Sequence, residues 1–254
     1  MTANNKQDST DNVLQYSNWF ASWFDTKYYH ILYKDRDNKE AQVFMDNLTH
    51  YLNLPEQAKI LDLACGKGRH SIYLNSLGYH VTGADLSENS IREASKFENE
   101  TLHFKVHDMR NVSNEKYDAI FNLFTSFGYF ENSHDNVTTL KAIHNSLNEY
   151  GFACIDFMNV DFVIENLVAN EIKTVENIDF YIKRYVKENH IYKEIQFEDD
   201  GQKFHFTEKV QALRLTDFEK MMAESGIFLL DIFGNYKLQP FVKNKSERLI
   251  MIFK

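Results

Sequence analysis

Residues 59–87 read KILDLACGKGRHSIYLNSLGYHVTGADLS. An apolar run, a glycine turn, a helical stretch and a second apolar run follow one another, so the segment reads as strand, turn, helix, strand. Gly66 and Gly68 fall where the first strand gives way to the helix, and a helix N-terminus aims unpaired N–H groups at whatever lies before it. Two glycines alone are a weak signal, because glycine serves ordinary turns as well. A dinucleotide fingerprint would carry a third glycine at position 71, where this chain has Ser71. Asp85 closes the second strand, 19 residues after Gly66, and an acidic side chain there accepts hydrogen bonds from ribose hydroxyls. The turn therefore suits an adenosine-bearing ligand and makes no clear provision for a pyrophosphate.

Outward from this stretch the alternation continues. Further apolar runs stand at 101–106, 117–123 and 152–157, with helical segments between several of them. One helix begins at Ser87, a good N-cap, and another runs through SHDNVTTLKAIHNSLNEYG to a C-cap expected at Gly151. Strands alternating with helices predict a doubly wound, mostly parallel sheet, and the short strands are apolar throughout, as two covered faces require. GIFLLDIFG and ERLIMIFK add two strands, for seven in all. A helix, LTDFEKMMAESG, with Thr216 or Asp217 near its start and Gly226 at its end, precedes them.

Two regions depart from this rhythm. Residues 12–33 are rich in aromatics and read as one or two short helices. The next helix places Val43, Phe44, Leu48, Tyr51 and Leu52 on one face and is closed by Pro55. Residues 159–213 form an excursion whose period-two alternation predicts an antiparallel meander of three strands near 178–187, 190–197 and 203–213, with turns at Asn189 and Asp200-Gly201. Arg184 and Glu208 each interrupt an apolar row there, marking either a buried ion pair or a substrate-facing patch. Outer strands of such a meander lie roughly 9–10 Å apart, a gap a long Arg side chain could cross to reach Glu208.

Composition bounds the rest. The chain has 254 residues, 43% hydrophobic and 26% charged, with a net charge of −9. That is a globular composition and a poor default partner for nucleic acid or anionic lipid. Cys65 and Cys154 both lie in apolar runs and show no disulfide or zinc spacing, which fits a reducing, cytoplasmic setting. The opening MTANNKQDSTDN does not read as a signal peptide, and no run is long enough to span a membrane. The expectation is one domain over 1–254, a monomer or homodimer.

HDMRN (107–111) and NLFTSFGYF (122–130) end the third and fourth strands, the side on which open α/β sheets bind ligands. With LACGKGRH and Asp85 in register, these segments resemble the class I S-adenosylmethionine-dependent methyltransferases over roughly residues 25–254. The nearest likeness is to the small-molecule sugar-amine N,N-dimethyltransferases, which carry the antiparallel excursion and have a His where this chain has Tyr129. The resemblance implies a Rossmann-like methyltransferase fold with S-adenosylmethionine as cofactor. It implies cofactor contacts from Ala64, Gly66, Gly68, Arg69, Asp85, Leu86, Asp108, Met109 and Leu123, and an N-terminal helical lid over 12–52 contributing Tyr29 and Tyr33. Trp19, Phe20, Trp23, Phe24 and Tyr28 read equally as packing aromatics. Tyr129 is cast as an orienting partner near the transferred methyl, since a phenol is a poor base at neutral pH. Arg184 and Glu208 are the substrate candidates, on a meander expected to roof the acceptor pocket. The expected activity is methyl transfer to an N or O atom of a small molecule. RNA or protein acceptors, and a non-catalytic S-adenosylmethionine-binding subunit, remain the alternatives.

Overall fold

The structure, a computed structural model, describes residues 23–34 and 38–254; Trp19 and Phe20 lie outside them. The described residues fall into two compact units. One holds 23–34 with 168–210, the other 38–167 with 211–254.

In chain order the elements are α1 (Lys27–Leu32), α2 (Asn38–Tyr51), β1 (Lys59–Leu63), α3 (Arg69–Ser76), β2 (His80–Asp85), α4 (Glu88–Ala94), β3 (Leu102–Val106), β4 (Tyr117–Asn122), α5 (Ser133–Ser146), β5 (Leu147–Met158) and α6 (Val160–Glu165). There follow β6 (Asn170–Val175), β7 (Ile178–Lys187), β8 (His190–Asp199), β9 (Gln202–Gln211), α7 (Leu215–Glu224), β10 (Leu229–Phe233) and β11 (Arg248–Phe253).

The larger unit is built on a seven-stranded sheet in the order β10-β11-β5-β4-β1-β2-β3. β1 pairs in parallel with β2 and β4, while β11 runs antiparallel to β5 and β10 antiparallel to β11. The strand order reverses between β1 and β4, so their carboxyl ends flank the crevice in which doubly wound sheets hold ligands. Helices bury both faces. Phe44, Met45, Leu48, Leu74 and Ala94 reach 0–1% exposure against Ile60, Val81, Phe121 and Ile250. On α2 the buried stripe is Ala41, Phe44, Met45 and Leu48, continued by Leu52 just past its end. Val43 and Tyr51, expected on that face, are 45% and 42% exposed, because the helix is rotated to seat Met45 instead. Tyr51 spends its hydroxyl on Asp231 Oδ2 at 2.5 Å.

The helix begun at Ser133 stops at Ser146, five residues before Gly151. Gly151 is not its cap but lies inside β5, where a Cβ would stand 2.8 Å from the Tyr117 carbonyl oxygen. α7 starts as its sequence asks, with Asp217 Oδ2 accepting the Arg214 N–H at 2.8 Å.

The smaller unit is α1 and an antiparallel sheet of four strands, β6-β7-β8-β9, not three. Three tight turns make it, at Glu176-Asn177, Glu188-Asn189 and Asp200-Gly201, and both central residues of each have positive φ. That is the twist-matched hairpin geometry, which asparagine and glycine tolerate. One face buries Phe180, Ile182, Ile195 and Phe197 at 0–3% exposure, and Tyr28 of α1 packs on Phe197 and Phe204 with centroids 4.5 and 4.7 Å apart. Of the segment expected as an N-terminal lid, residues 12–22 lie outside the described residues; α1 belongs to this unit and α2 to the parallel-sheet unit.

Candidate functional site

β1 leaves the sheet through a turn in which Ala64, Gly66 and Gly68 all have positive φ, 65°, 56° and 80°. The Ala64 and Cys65 N–H groups both close on the Ala84 carbonyl of β2, at 2.7 and 3.1 Å. Gly68 then caps α3, and it must be glycine twice over. Its backbone is left-handed, and an added Cβ would sit 2.5 Å from the Phe104 ring. Asp85 fastens this turn from the end of β2. Its Oδ2 accepts the Gly66 N–H and its Oδ1 the Ser87 N–H, each at 2.8 Å. A carboxylate has capacity for about four such bonds. Leu86, immediately after it, is 48% exposed, and Val106 at the end of β3 is 49% exposed, which leaves apolar surface on either side of the acidic group.

Asp62, on β1 behind the turn, is 2% exposed. It does not hold the turn through backbone N–H groups of the glycines. It accepts the Ser71 hydroxyl of α3 at 2.6 Å. Burial pushes its carboxyl up to about 6, the Asp85 charge adds to this, and the Ser71 bond opposes it. Serine in place of a third fingerprint glycine thus has a structural reason: it satisfies a buried aspartate.

The remaining expected cofactor residues gather at the neighbouring strand ends, with partners of their own. Both oxygens of Asp108 are taken by Arg110, at 2.6 Å from Nη2 and 3.0 Å from Nε, and this holds its carboxyl below the usual range. Met109 beside it is half-buried. The Arg69 guanidinium donates to its neighbour His70 at Nε2, 2.8 Å away, and that imidazole stacks on Phe124 with centroids 4.6 Å apart. Leu123 is buried at 4% exposure. Asn122 donates to the Leu63 carbonyl at 3.0 Å, bridging the ends of β4 and β1, while its own Oδ1 is a buried acceptor without a partner among the described residues.

After β4 the chain turns through Phe124 and Thr125, whose φ values are 57° and 61°. Two successive left-handed residues without glycine are strained, by about 1–3 kcal/mol each. Asp156 of β5 holds them: its Oδ2 accepts the Phe124 N–H at 2.8 Å and its carbonyl the Thr125 N–H at 2.9 Å. Arg248 of β11 completes the brace, donating from Nε to Asp156 Oδ1 at 2.8 Å and from Nη2 to the Thr125 hydroxyl at 2.9 Å. Burial works against the Arg248 charge, and the Asp156 carboxylate overcomes it, keeping the guanidinium firmly protonated.

Tyr129 is held next. Gln211 donates its backbone N–H to the Gly128 carbonyl at 2.9 Å and its side-chain Nε2 to the Phe130 carbonyl at 2.7 Å. Buried Asn136 supports it, donating to Gln211 Oε1 at 2.6 Å. The residue between the two clamped carbonyls is Tyr129. Asp156, Arg248, Asn136 and Gln211 were not singled out from sequence, although Asp156 interrupts FACIDF as visibly as Asp62 interrupts KILDLA.

Tyr29, Tyr33, Arg184 and Glu208 lie in the smaller unit. Of the two readings of Arg184 and Glu208, an ion pair between them does not form. Arg184 donates to Glu171 Oε2 of the adjacent strand at 2.6 Å. Glu208 Oε1 accepts the Trp23 Nε1–H at 2.8 Å and the Tyr33 hydroxyl at 2.7 Å. Each charged group has found a nearer partner than the far strand could offer. Among the described residues no helix is long and apolar enough to cross a membrane, and no group of three or more His, Cys, Asp or Glu could hold a metal ion.

Residues 60–151 match the family described as "Methyltransferase domain". YqeM of Bacillus subtilis (strain 168) is 34% identical over 108 residues, 41% of this chain and 44% of that protein, so the chain spans less than half the length of that relative. A glycine/sarcosine N-methyltransferase of Halorhodospira halochloris is 27% identical over 192 residues, 70% of this chain and 69% of that enzyme. Among solved structures, an S-adenosylmethionine-dependent methyltransferase from Clostridium acetobutylicum ATCC 824 superposes with a TM-score of 0.74 at 22% identity, covering 98% of this chain and 99% of that one. The sugar N-methyltransferase KedS8 from Streptoalloteichus sp. ATCC 53650 gives 0.67 at 17% identity, covering 88% and 92%. Residues 60–151 are a methyltransferase domain of the class I, S-adenosylmethionine-dependent type. The chain as a whole has the fold shared by the small-molecule enzymes of that class, sugar N-methyltransferases among them.

Proposed function

We propose that the protein transfers a methyl group from S-adenosylmethionine to an amine nitrogen of a small molecule. The observation that carries the cofactor reading is the left-handed turn from Ala64 to Gly68 fastened on Asp85. It sets the Asp85 carboxylate at one strand end, beside the exposed apolar flank of Leu86. Asp85 accepts the ribose hydroxyls in this reading, and Leu86 and Met109 flank the adenine ring. Asn122, with an orphaned buried acceptor between β1 and β4, offers a place for a donor of the cofactor's amino acid portion. Bound S-adenosylmethionine supplies an electrophilic methyl on a sulfonium centre. The protein's own part is alignment and exclusion of water, and alignment contributes about 7–11 kcal/mol to such a displacement. The braced turn at Phe124–Thr125 and the clamped Tyr129 serve that alignment.

Nitrogen is favoured over oxygen because a relative matched over 69% of its length is named as an N-methyltransferase of glycine and sarcosine. The test is incubation with methyl-labelled S-adenosylmethionine and a panel of small amines and alcohols, with S-adenosylhomocysteine release as readout. Label appearing in amines supports the reading. Label confined to RNA or protein, or calorimetric binding of NAD without binding of S-adenosylmethionine, sinks it. Binding of the cofactor with no transfer to any acceptor indicates a non-catalytic subunit.

A further inference from the structure

Glu208 stands on β9 with one of its two oxygens fully engaged. Oε1 takes hydrogen bonds from Trp23 Nε1 at 2.8 Å and from the Tyr33 hydroxyl at 2.7 Å. Both donors are neutral, so neither cancels the negative charge. Among the described residues Oε2 accepts no hydrogen bond, and no cation pairs with the carboxylate. Lys193 of β8 donates to the Tyr33 hydroxyl and lies 4.4 Å from the centre of its ring. A tyrosine hydroxyl has a single proton, so accepting from Lys193 commits that proton to Glu208. The lysine thus sets the direction of the Tyr33 bond without touching the carboxylate. Two further aromatic rings pack on the rings of these donors. Tyr29 lies 5.7 Å from Trp23 and 4.9 Å from Tyr33, and Phe206 lies 4.5 Å from Trp23.

A carboxylate is an expensive way to satisfy an indole and a phenol. A neutral amide would accept the same two hydrogen bonds without the cost of drawing a charge out of water among aromatic rings. What the charge adds is an attraction for a cation, and aromatic faces attract cations as well. We infer that Glu208, oriented by Trp23 and Tyr33, is the binding site for the ammonium group of a small amine acceptor. This deepens the N-methyltransferase reading and rests on it for the meaning of the site, while the binding itself is separable. Glu208 fixes the nitrogen-bearing end of the acceptor, Oε2 supplies the hydrogen-bond acceptor, and the rings supply the wall.

The experiment uses the full-length protein labelled with 15N and methylammonium as the probe. The chain has two tryptophans, and the Trp23→Phe spectrum assigns the Trp23 indole N–H, which reports directly on Glu208. Methylammonium is expected to move that resonance saturably, and acetate, of similar size and opposite charge, to leave it in place. Glu208→Gln keeps an oxygen for both donors and removes only the charge; it is expected to weaken methylammonium binding about tenfold or more, the loss of a charged partner. An unmoved wild-type indole, an equal response to acetate, or undiminished binding in Glu208→Gln overturns the inference and leaves Glu208 as an anchor for α1. The comparison of cation and anion on the wild-type protein decides the matter even where the variant does not fold. S-adenosylhomocysteine binding, measured in parallel by calorimetry, is expected to be unchanged in Glu208→Gln. Its absence from the wild-type protein would strike the methyltransferase reading and not the amine site.

Discussion

Two turns at neighbouring strand ends, after β1 and after β4, solve one problem with different materials. Each must leave a parallel strand in left-handed backbone, and each has a buried aspartate near it, Asp62 at 2% and Asp156 at 0% exposure. The first turn has glycine at two of its three left-handed positions, Ala64 being the third, so its conformation costs less and its aspartate is left with a neutral serine. The second uses Phe124 and Thr125, and its aspartate carries an ion pair to Arg248 and two backbone hydrogen bonds. Where the backbone is permissive, the surroundings need do little; where it is strained, the surroundings must over-determine it. The second design keeps large side chains on the turn, which lets Phe124 stack on His70 and pack near Tyr236.

The comparison breaks most readily at Asp156. Asp156→Ala leaves Arg248 buried without its counter-charge and the Phe124 N–H without its acceptor, and is expected to cost about 3–5 kcal/mol, read from urea unfolding midpoints. A loss under about 1 kcal/mol would mean that the β4 turn holds its own shape. Asp62 differs in sign with pH. Its folded-state carboxyl titrates at about 6, above its ordinary 3.8, so the folded state holds the extra proton between those values. Its contribution is therefore intact below about pH 4 and lost as pH rises through about 6, by at most about 3 kcal/mol. Asp62→Asn should gain on the wild type steadily across that window, and parallel stability curves would show the carboxylate to be better solvated than its burial implies.

Asp85→Ala should weaken S-adenosylmethionine binding by about 1.5–3 kcal/mol in a calorimetric titration, since a charge-assisted acceptor is removed. Because Asp85 also fastens Gly66 and Ser87, a modest loss of melting temperature is expected with it. Unchanged affinity would assign the residue to the turn alone. The smallest effect is at Thr125. Thr125→Gly gives up the hydroxyl bond to Arg248 and relieves a left-handed β-branched residue, two terms of about 1 kcal/mol that oppose each other. Stability within about 1 kcal/mol of wild type sharpens the contrast with the glycine turn, and a larger loss would place the holding force in the Arg248–Thr125 bond.

The same contrast explains what could be read from sequence. The glycine turn, Asp85 and the seven-stranded sheet were legible because glycine position and apolar run length are local properties. The brace on the β4 turn was not, since Asp156 and Arg248 lie 92 residues apart and meet only through the antiparallel pairing of β5 and β11. Gln211 and Asn136 escaped for the same reason, 75 residues apart. The fourth strand of the small sheet had a local signal that went unused. Glu176-Asn177 repeats the Glu-Asn pair of the hairpin turn at 188–189, and recognising it would have placed β6 before β7. Arg184 and Glu208 interrupt apolar rows, but which neighbours answer them depends on β6 and on α1.

The two cysteines carry a consequence of another kind. Cys65 lies in the glycine turn after β1 at 7% exposure and Cys154 in β5 at 1%. Burial raises both thiols well above their ordinary range, with nearby carboxylates adding to it. The reactive species toward alkylating agents and peroxide is the thiolate, so both sulfurs are chemically quiet while the sheet is closed. A maleimide or a disulfide reagent would then label the chain only as fast as its strands open, one sulfur marking the glycine turn and the other the middle of the sheet. Two silent thiols thus become a built-in clock for local and global opening, and the gap between their labelling rates would measure how far cofactor binding steadies the turn relative to the strands behind it.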